Sequence, residues 1–231
     1  MEIKTEVVTK GTRILFGHSA YIKHGIIQLL EAKAMCKGYL RMTIPILQFQ
    51  STFASKVGGE NQKMMYAFKD AGDRDLCLAP EYTAVIQTLA KDYLKYQKDV
   101  LIFYTQECFR AEKPQAGRYR QFTQFGVEIL NPTKDYKEEL IAMAKEMIIG
   151  SLPEDTDESK VIVNANTSRG LDYYKEGQGF EISFTDLGAQ QQICGGGAYE
   201  DGIGFAIGVD RLLLANTLKQ EQCKQTKKSK S

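Results

Sequence analysis

The chain has 231 residues, 43% of them apolar and 26% charged, and its 30 Lys and Arg against 29 Asp and Glu leave a formal charge of +1. That length buries a full core, and the balance excludes both wholesale disorder and a long nucleic acid held by anything but local patches. No stretch approaches the roughly eighteen apolar residues of a membrane span, and the charged start "MEIKTEVVTK" has no leader-like apolar run, so a cytoplasmic protein with no membrane contact is expected. Cys36, Cys77, Cys108, Cys194 and Cys223 are odd in number without a CxxC pair, and the only histidines are His18 and His24. Reduced, mostly buried thiols are expected, and no metal site.

In chain order, "YIKHGIIQLLEAKAMCKG" sets Ile22, Ile26, Leu29, Leu30 and Ala34 at helical spacing, with Gly38 as the stop. "YLRMTIPIL" alternates Leu40, Met42, Ile44 and Ile46 on one face of a strand. "MYAFKDAGDRDLCLAP" reads as two short strands around a Gly-Asp turn, and "EYTAVIQTLAKDYLKY" as a helix burying Val85, Ile86, Leu89 and Tyr93. Two strand-like runs, "DVLIFYTQECFR" and "YRQFTQFGVEIL", flank the loop "AEKPQAG". A helix over "KDYKEELIAMAKEMIIG" turns Leu140, Ile141, Ala144, Met147 and Ile148 inward, and "SLPEDTDESK" is the best linker candidate. "VIVNANTSRGLDYY", "GFEISF" and "QQICGGG" read as strands, and "GFAIGVDRLLLANTLKQ" as a strand entering a helix at Val209 or Asp210. A single domain over 1–219 with a basic, disordered tail over 220–231 is expected.

Hairpins stand where a doubly wound fold would have crossovers, which points to the α+β class, an antiparallel sheet flanked by helices. Neither GxGxxG after a strand nor GxxxxGK[ST] is present, so no Rossmann or P-loop nucleotide site is indicated. The concentration of Arg110, Lys113, Arg118 and Arg120 around the hairpin loop is the feature that asks for a function. Strand alternation places Arg118, Arg120, Phe122 and Gln124 on one face. Fixed guanidinium forks there match a phosphate chain, although a solvated hairpin explains such a cluster equally well.

The stretch "FRAEKPQAGRYRQFTQFGVE" resembles motif 2 of the class II aminoacyl-tRNA synthetases, in the form found in the histidyl-tRNA synthetase family. "TSRGLDYY" is similar to that family's histidine-recognition segment, "CGGGAYEDG" to the segment that follows it, and "GFAIGVDRLLLA" to motif 3. "IPILQ" resembles the motif 1 region, and "LAPEYTA" the run that usually reads "LRPEGTA". These six matches occur in the family's order and cover about residues 10–218. The resemblance implies ATP and Mg²⁺ as cofactors, histidine as substrate, and a homodimer built on residues about 20 to 55. A tRNA acceptor stem or another acyl acceptor is implied as a further partner.

By position, the resemblance implies that Arg110 touches the α-phosphate and Glu112 sits near the nucleotide. Arg118 and Arg211 then hold the outer phosphates, with Arg120 in support. Glu81, Thr83, Gln124, Glu128, Tyr174 and Tyr199 line the amino-acid pocket, and Arg169 stands beside the reacting carboxylate. The chain departs from the family pattern at Ala79 and Ala198, where arginine is usual, and at Ala111. Only about forty residues separate Glu128 from Arg169, too few for the family's usual insertion domain, and no anticodon-binding domain is expected after motif 3. Three functions follow from the resemblance: an enzyme that activates histidine for an acceptor other than an ordinary full tRNA, a histidine-binding regulatory subunit like that of ATP phosphoribosyltransferase, and a minimal synthetase charging tRNA through its acceptor stem. Retention of Arg110, Arg169 and Arg211 favours activation, since a sensor has no use for a set of phosphate ligands.

Overall fold

A computed structural model of the protein describes residues 8–54, 63–167, 175–188 and 190–228. Helix α1 (His18–Cys36) stops where Gly38, at φ 84°, reverses the chain, with the Tyr39 N–H donating to the Ala34 carbonyl. The strand expected over residues 40–46 is instead two short pieces in different sheets, β1 (Leu40–Arg41) and β2 (Leu47–Phe49). Pro45 lies between them and has no N–H to give to a ladder. Helix α2 (Ser51–Ala54) follows, then β3 (Tyr66–Lys69) and β4 (Asp75–Leu78), paired as the expected hairpin. Helix α3 (Thr83–Tyr93) buries Thr83, Ile86 and Ala90, but Tyr93 in its last turn is 77% exposed, against expectation, and Leu94 packs on the core in its place.

The long hairpin pairs β5 (Val100–Phe109) with β6 (Gln121–Leu130) over ten residues each. Helix α4 (Lys137–Ser151) leads to β7 (Val161–Thr167), β8 (Gly179–Phe184), β9 (Gln192–Tyr199) and β10 (Gly202–Gly208), and helix α5 (Val209–Lys228) closes the chain. The large sheet runs β1-β5-β6-β10-β9-β8-β7, antiparallel except where β1 meets β5, and β2-β4-β3 form a smaller sheet. This is the α+β architecture that the run of hairpins predicts. The linker candidate at 151–160 joins α4 to an edge strand of the same sheet. Residues 220–228, expected as a disordered tail, continue α5, in keeping with a run of Lys, Gln and Glu that favours helix. No helix among the described residues is long and apolar enough to cross a membrane.

The two faces of the large sheet differ in what covers them. On one face Phe103, Phe125, Val127, Phe180, Phe205 and Ile207 pack with Leu30 of α1, Met147 of α4 and Leu212 of α5. Each such side chain contributes on the order of 2 kcal/mol by leaving water. On the other face, Ile102, Tyr104 and Cys108 pack beneath Tyr82, Ile86 and Ala90 of α3. The register then places Gly204 and Ala206 of β10 beside Gly197 and Gly195 of β9, so this half of the face is nearly bare of side chains. The helix-side core and the bare floor meet at Gly196, where a Cβ would lie 2.4 Å from the Gly204 carbonyl oxygen and 2.6 Å from the Phe180 ring. Gly196→Ala should therefore lower stability by about 2–3 kcal/mol in urea unfolding, because the nearest atom is backbone and cannot turn aside.

Candidate functional site

The bare half of the sheet is the floor of a cleft of about 310 Å³, walled by the loop between β5 and β6, the start of α3 and the first turn of α5. At one end stand guanidinium groups held largely by backbone carbonyls. Arg110, just past β5, donates through Nε to the Pro80 carbonyl at 2.9 Å and lies 5.2 Å over the Phe122 ring. Arg211 donates through Nε to the Gly117 carbonyl at 3.2 Å and through a second nitrogen to the Gln192 carbonyl. Arg118 pairs with the buried carboxylate of Glu112. Burial pushes the Arg211 guanidinium below its ordinary value, and the like charges of Arg118 and Arg110 push in the same direction. This end of the cleft is a field of positive charge not fully answered from within.

The other end is acidic. Glu81 accepts the Ala84 N–H at 3.0 Å, capping the start of α3. Thr83 donates to one oxygen of Glu128 at 3.0 Å and Tyr199 to the other at 3.0 Å. Burial pushes Glu128 up to about 8; the bonds from Thr83 and Tyr199 pull it down, and the charge of Glu81 adds to the rise. The carboxylate lies across the neighbouring strand because residue 204 has no side chain: a Cβ there would sit 1.8 Å from Glu128 Oε2. Gly126 likewise makes room for the Tyr104 ring, whose hydroxyl accepts from Gln124 Nε2 at 3.1 Å, while the Cys108 thiol donates to Gln124 Oε1 at 3.3 Å.

Of the residues expected at the site, Glu81, Thr83, Arg110, Glu112, Arg118, Gln124 and Arg211 line this one cleft. Glu128 and Tyr199 lie directly behind it, joined to it through Thr83. Arg120 does not line it. Its carbonyl still accepts the Arg110 N–H at 2.9 Å, but its own N–H goes to the Gly11 carbonyl at 2.8 Å and its Nε to the Glu112 carbonyl at 3.0 Å. Arg169 and Tyr174 lie outside the described residues. Ala79 is enclosed with Tyr82 and Ile86, Ala198 packs against the helix-side core, and Ala111 is exposed. Asp210 and Tyr119, neither of them expected, also line the cleft. The acid adjoining Arg211 in the first turn of a helix was the available signal for Asp210. Among the described residues, no cluster of three His, Cys, Asp or Glu could hold a metal ion.

A family model described as histidyl-tRNA synthetase matches residues 17–153, more than half of the chain. The chain belongs to the histidyl-tRNA synthetase family. It is 28% identical to a histidine–tRNA ligase of Clostridioides difficile over 308 aligned positions, which take in 89% of this chain and 73% of the relative. About a hundred of those positions face no residue here, so members of the histidyl-tRNA synthetase family carry internal segments that this chain lacks. Among solved structures, an apo histidyl-tRNA synthetase of S. aureus is 25% identical with a TM-score of 0.73, covering 90% of this chain and 69% of that one. A Bacillus halodurans structure described as an ATP phosphoribosyltransferase regulatory subunit/histidyl-tRNA synthetase shares the fold, with a TM-score of 0.70 at 16% identity, covering 89% of this chain and 81% of that one.

Glu128 generates a prediction with a definite sign. Its carboxyl titrates near 4.5 when exposed and at about 8 in the fold, so the folded state holds the proton more tightly. The resulting stabilisation is fully present below about pH 4.5 and is lost as pH rises through 8. Between pH 5 and 8 the wild type should lose stability relative to Glu128→Gln by an amount on the order of 3–5 kcal/mol, measured as the difference of their urea unfolding free energies across pH.

Proposed function

We propose that the protein activates histidine with ATP, forming histidyl-adenylate and pyrophosphate, and passes the histidyl group to an acyl acceptor such as a tRNA acceptor stem. The observation that carries this reading is the polarity of one cleft, with Arg110, Arg118 and Arg211 at one end and Glu81 and Glu128 at or just behind the other. A triphosphate answers the first end, and an α-amino group with an imidazole N–H answers the second. Gln124, fixed on both sides by Tyr104 and Cys108, presents its remaining N–H to the ligand.

The reaction asks little proton transfer of the protein. The histidine carboxylate is ionised at neutral pH, attacks the α-phosphorus and needs no general base, while the bond to the bridging oxygen breaks and pyrophosphate leaves with its electron pair. What remains is to gather anions and to stabilise charge on a five-coordinate phosphorus, which fixed guanidinium groups do by position alone. Arg110 would face the α-phosphate, Arg118 and Arg211 the outer phosphates, and Arg169 the reacting carboxylate. Mg²⁺ would supply further charge neutralisation on the phosphates. The carboxylates at this end, Glu112 and Asp210, are already engaged by Arg118 and Arg13, so the ion would be held through phosphate and water rather than by these side chains.

The test is ATP–pyrophosphate exchange with each amino acid in turn. Histidine should support exchange and leucine should not, because an apolar side chain leaves the remaining N–H of Gln124 without an acceptor and brings no N–H to Glu128. Arg110→Ala should lower the exchange rate by roughly 10²–10³ while changing histidine affinity far less. A wild-type protein that binds histidine and ATP but makes no adenylate would overturn this reading in favour of a regulatory histidine-binding subunit.

The same reading includes a homodimer formed through the region 20–55. Tyr21 in the first turn of α1, Leu40 on β1, and Leu47 and Phe49 on β2 are exposed within it. Large apolar side chains left exposed in this region suit a two-fold contact. Sedimentation at micromolar concentration should show a dimer, and Leu47→Asp should shift it toward monomer.

A further inference from the structure

The segment preceding α1 does not line the cleft, yet it touches both elements that carry the cleft's arginines. Residues 9–12 form a turn in which the Thr12 N–H donates to the Thr9 carbonyl at 3.0 Å and Gly11, the third residue, has φ 89°. The Gly11 carbonyl accepts the Arg120 N–H at 2.8 Å, and the Lys10 carbonyl accepts from the Arg120 guanidinium at 3.2 Å. Gly11 must lack a side chain on two counts, its positive φ and the Arg120 Cγ that would lie 2.8 Å from a Cβ. The turn is thus laid against the side chain of Arg120.

Arg13 continues the contact. Its guanidinium carbon lies 3.6 Å from the centroid of the Tyr119 ring, a stacked cation–π geometry. The same guanidinium pairs with Asp210, whose other oxygen accepts the Thr123 N–H at 2.6 Å. Tyr119 adjoins Arg118 and Asp210 adjoins Arg211 in the chain. One side chain therefore bridges the residue beside each of the two arginines assigned to the outer phosphates.

We propose that residues 9–13 are a strap that sets the spacing of the phosphate end, with Arg13 as its positioning residue and Arg120 as its anchor on the hairpin. The proposal rests on reading that end as a phosphate site, but its mechanical part stands apart from that reading. Loss of Arg13 does not strand a lone buried charge, because Lys23 Nζ also lies 3.5 Å from Asp210. The variant is therefore expected to fold, and the effect to be one of position.

The experiment uses the full chain and amide hydrogen exchange. Arg13→Ala should speed exchange at 112–120 by tenfold or more while 125–129 in β6 keep their protection. Unchanged protection at 112–120, or an equal rise in both segments, overturns the strap. Calorimetry with inorganic pyrophosphate should show about tenfold weaker binding in Arg13→Ala, with histidine affinity within twofold of wild type. Arg13→Lys should recover part of the loss, since it keeps the charge opposite Asp210 but not the planar stack on Tyr119. A wild type that binds no pyrophosphate overturns the phosphate reading, and the exchange result then decides the strap alone. Should Arg13→Ala fail to fold, Gly11→Ala pushes the turn off Arg120 and must give the same local loss of protection, or the proposal fails.

Discussion

The guanidinium groups of Arg110, Arg118 and Arg211 face one cleft, and like charges so placed must be held against their own repulsion. The fold meets this constraint chiefly with neutral acceptors. The carbonyls of Pro80, Gly117 and Gln192 fix the orientation of Arg110 and Arg211 without cancelling their charge. A carboxylate in each place would hold the arginines more strongly and leave nothing for an incoming anion. Of the three, only Arg118 has an acid as its partner among the described residues. Gly117 lies in the hairpin loop, Gln192 opens β9 and Pro80 precedes α3, so three separate segments each turn a carbonyl toward these arginines.

Emptiness on the sheet surface matters as much as charge. Along β6 the side chains facing the cleft side are Phe122, Gln124, Glu128 and Leu130, interrupted by Gly126, and the next strand offers Gly204 and Ala206 beside them. Without those small residues neither the Glu128 carboxylate nor the Tyr104 ring could lie across its neighbour, since a Cβ at 204 or 126 would fall 1.8 or 2.1 Å from them. The acidic end of the cleft is therefore a product of glycine placement. The other face of the same strands carries Phe125, Val127, Phe205 and Ile207 into the helix-side core and anchors the floor against movement.

Much of this was legible in the sequence because it is written in local periodicities. Alternation along 121–130, the glycine run 195–197 and the helical stripe of 137–151 each depend on neighbours a few residues away. The failures share a different cause. Pro45 divides an apparently continuous alternation, and the consequence depends on which sheet is waiting to receive the second half. Tyr93 has the spacing of a buried residue, but Leu94 fills the place it would occupy. Arg120 follows the alternation on paper and escapes it because its N–H and guanidinium are taken by the carbonyls of Gly11, Lys10 and Glu112. The contacts of the 9–13 turn are mostly main-chain carbonyls, and the ion pair of Arg13 spans 197 residues, so no pattern within the sequence could announce them.

The two ends of the cleft also constrain each other. With Glu128 holding a proton near neutral pH, the acidic end is less negative than its residues suggest, and the positive end is left the stronger field. A ligand that brought only phosphates would satisfy that field but leave Glu128 neutral and buried beneath Thr83 and Tyr199. A ligand with a cationic group as well would favour the ionised carboxylate and expel its proton, so that binding at one end becomes linked to proton release at the other. In the proposed reading the amino acid carries both signs, with its carboxylate toward the arginines and its amino and imidazole groups toward the acids. Such a molecule lies along the cleft in a single direction. That direction brings the carboxylate to the arginine end, where a phosphorus atom would be held.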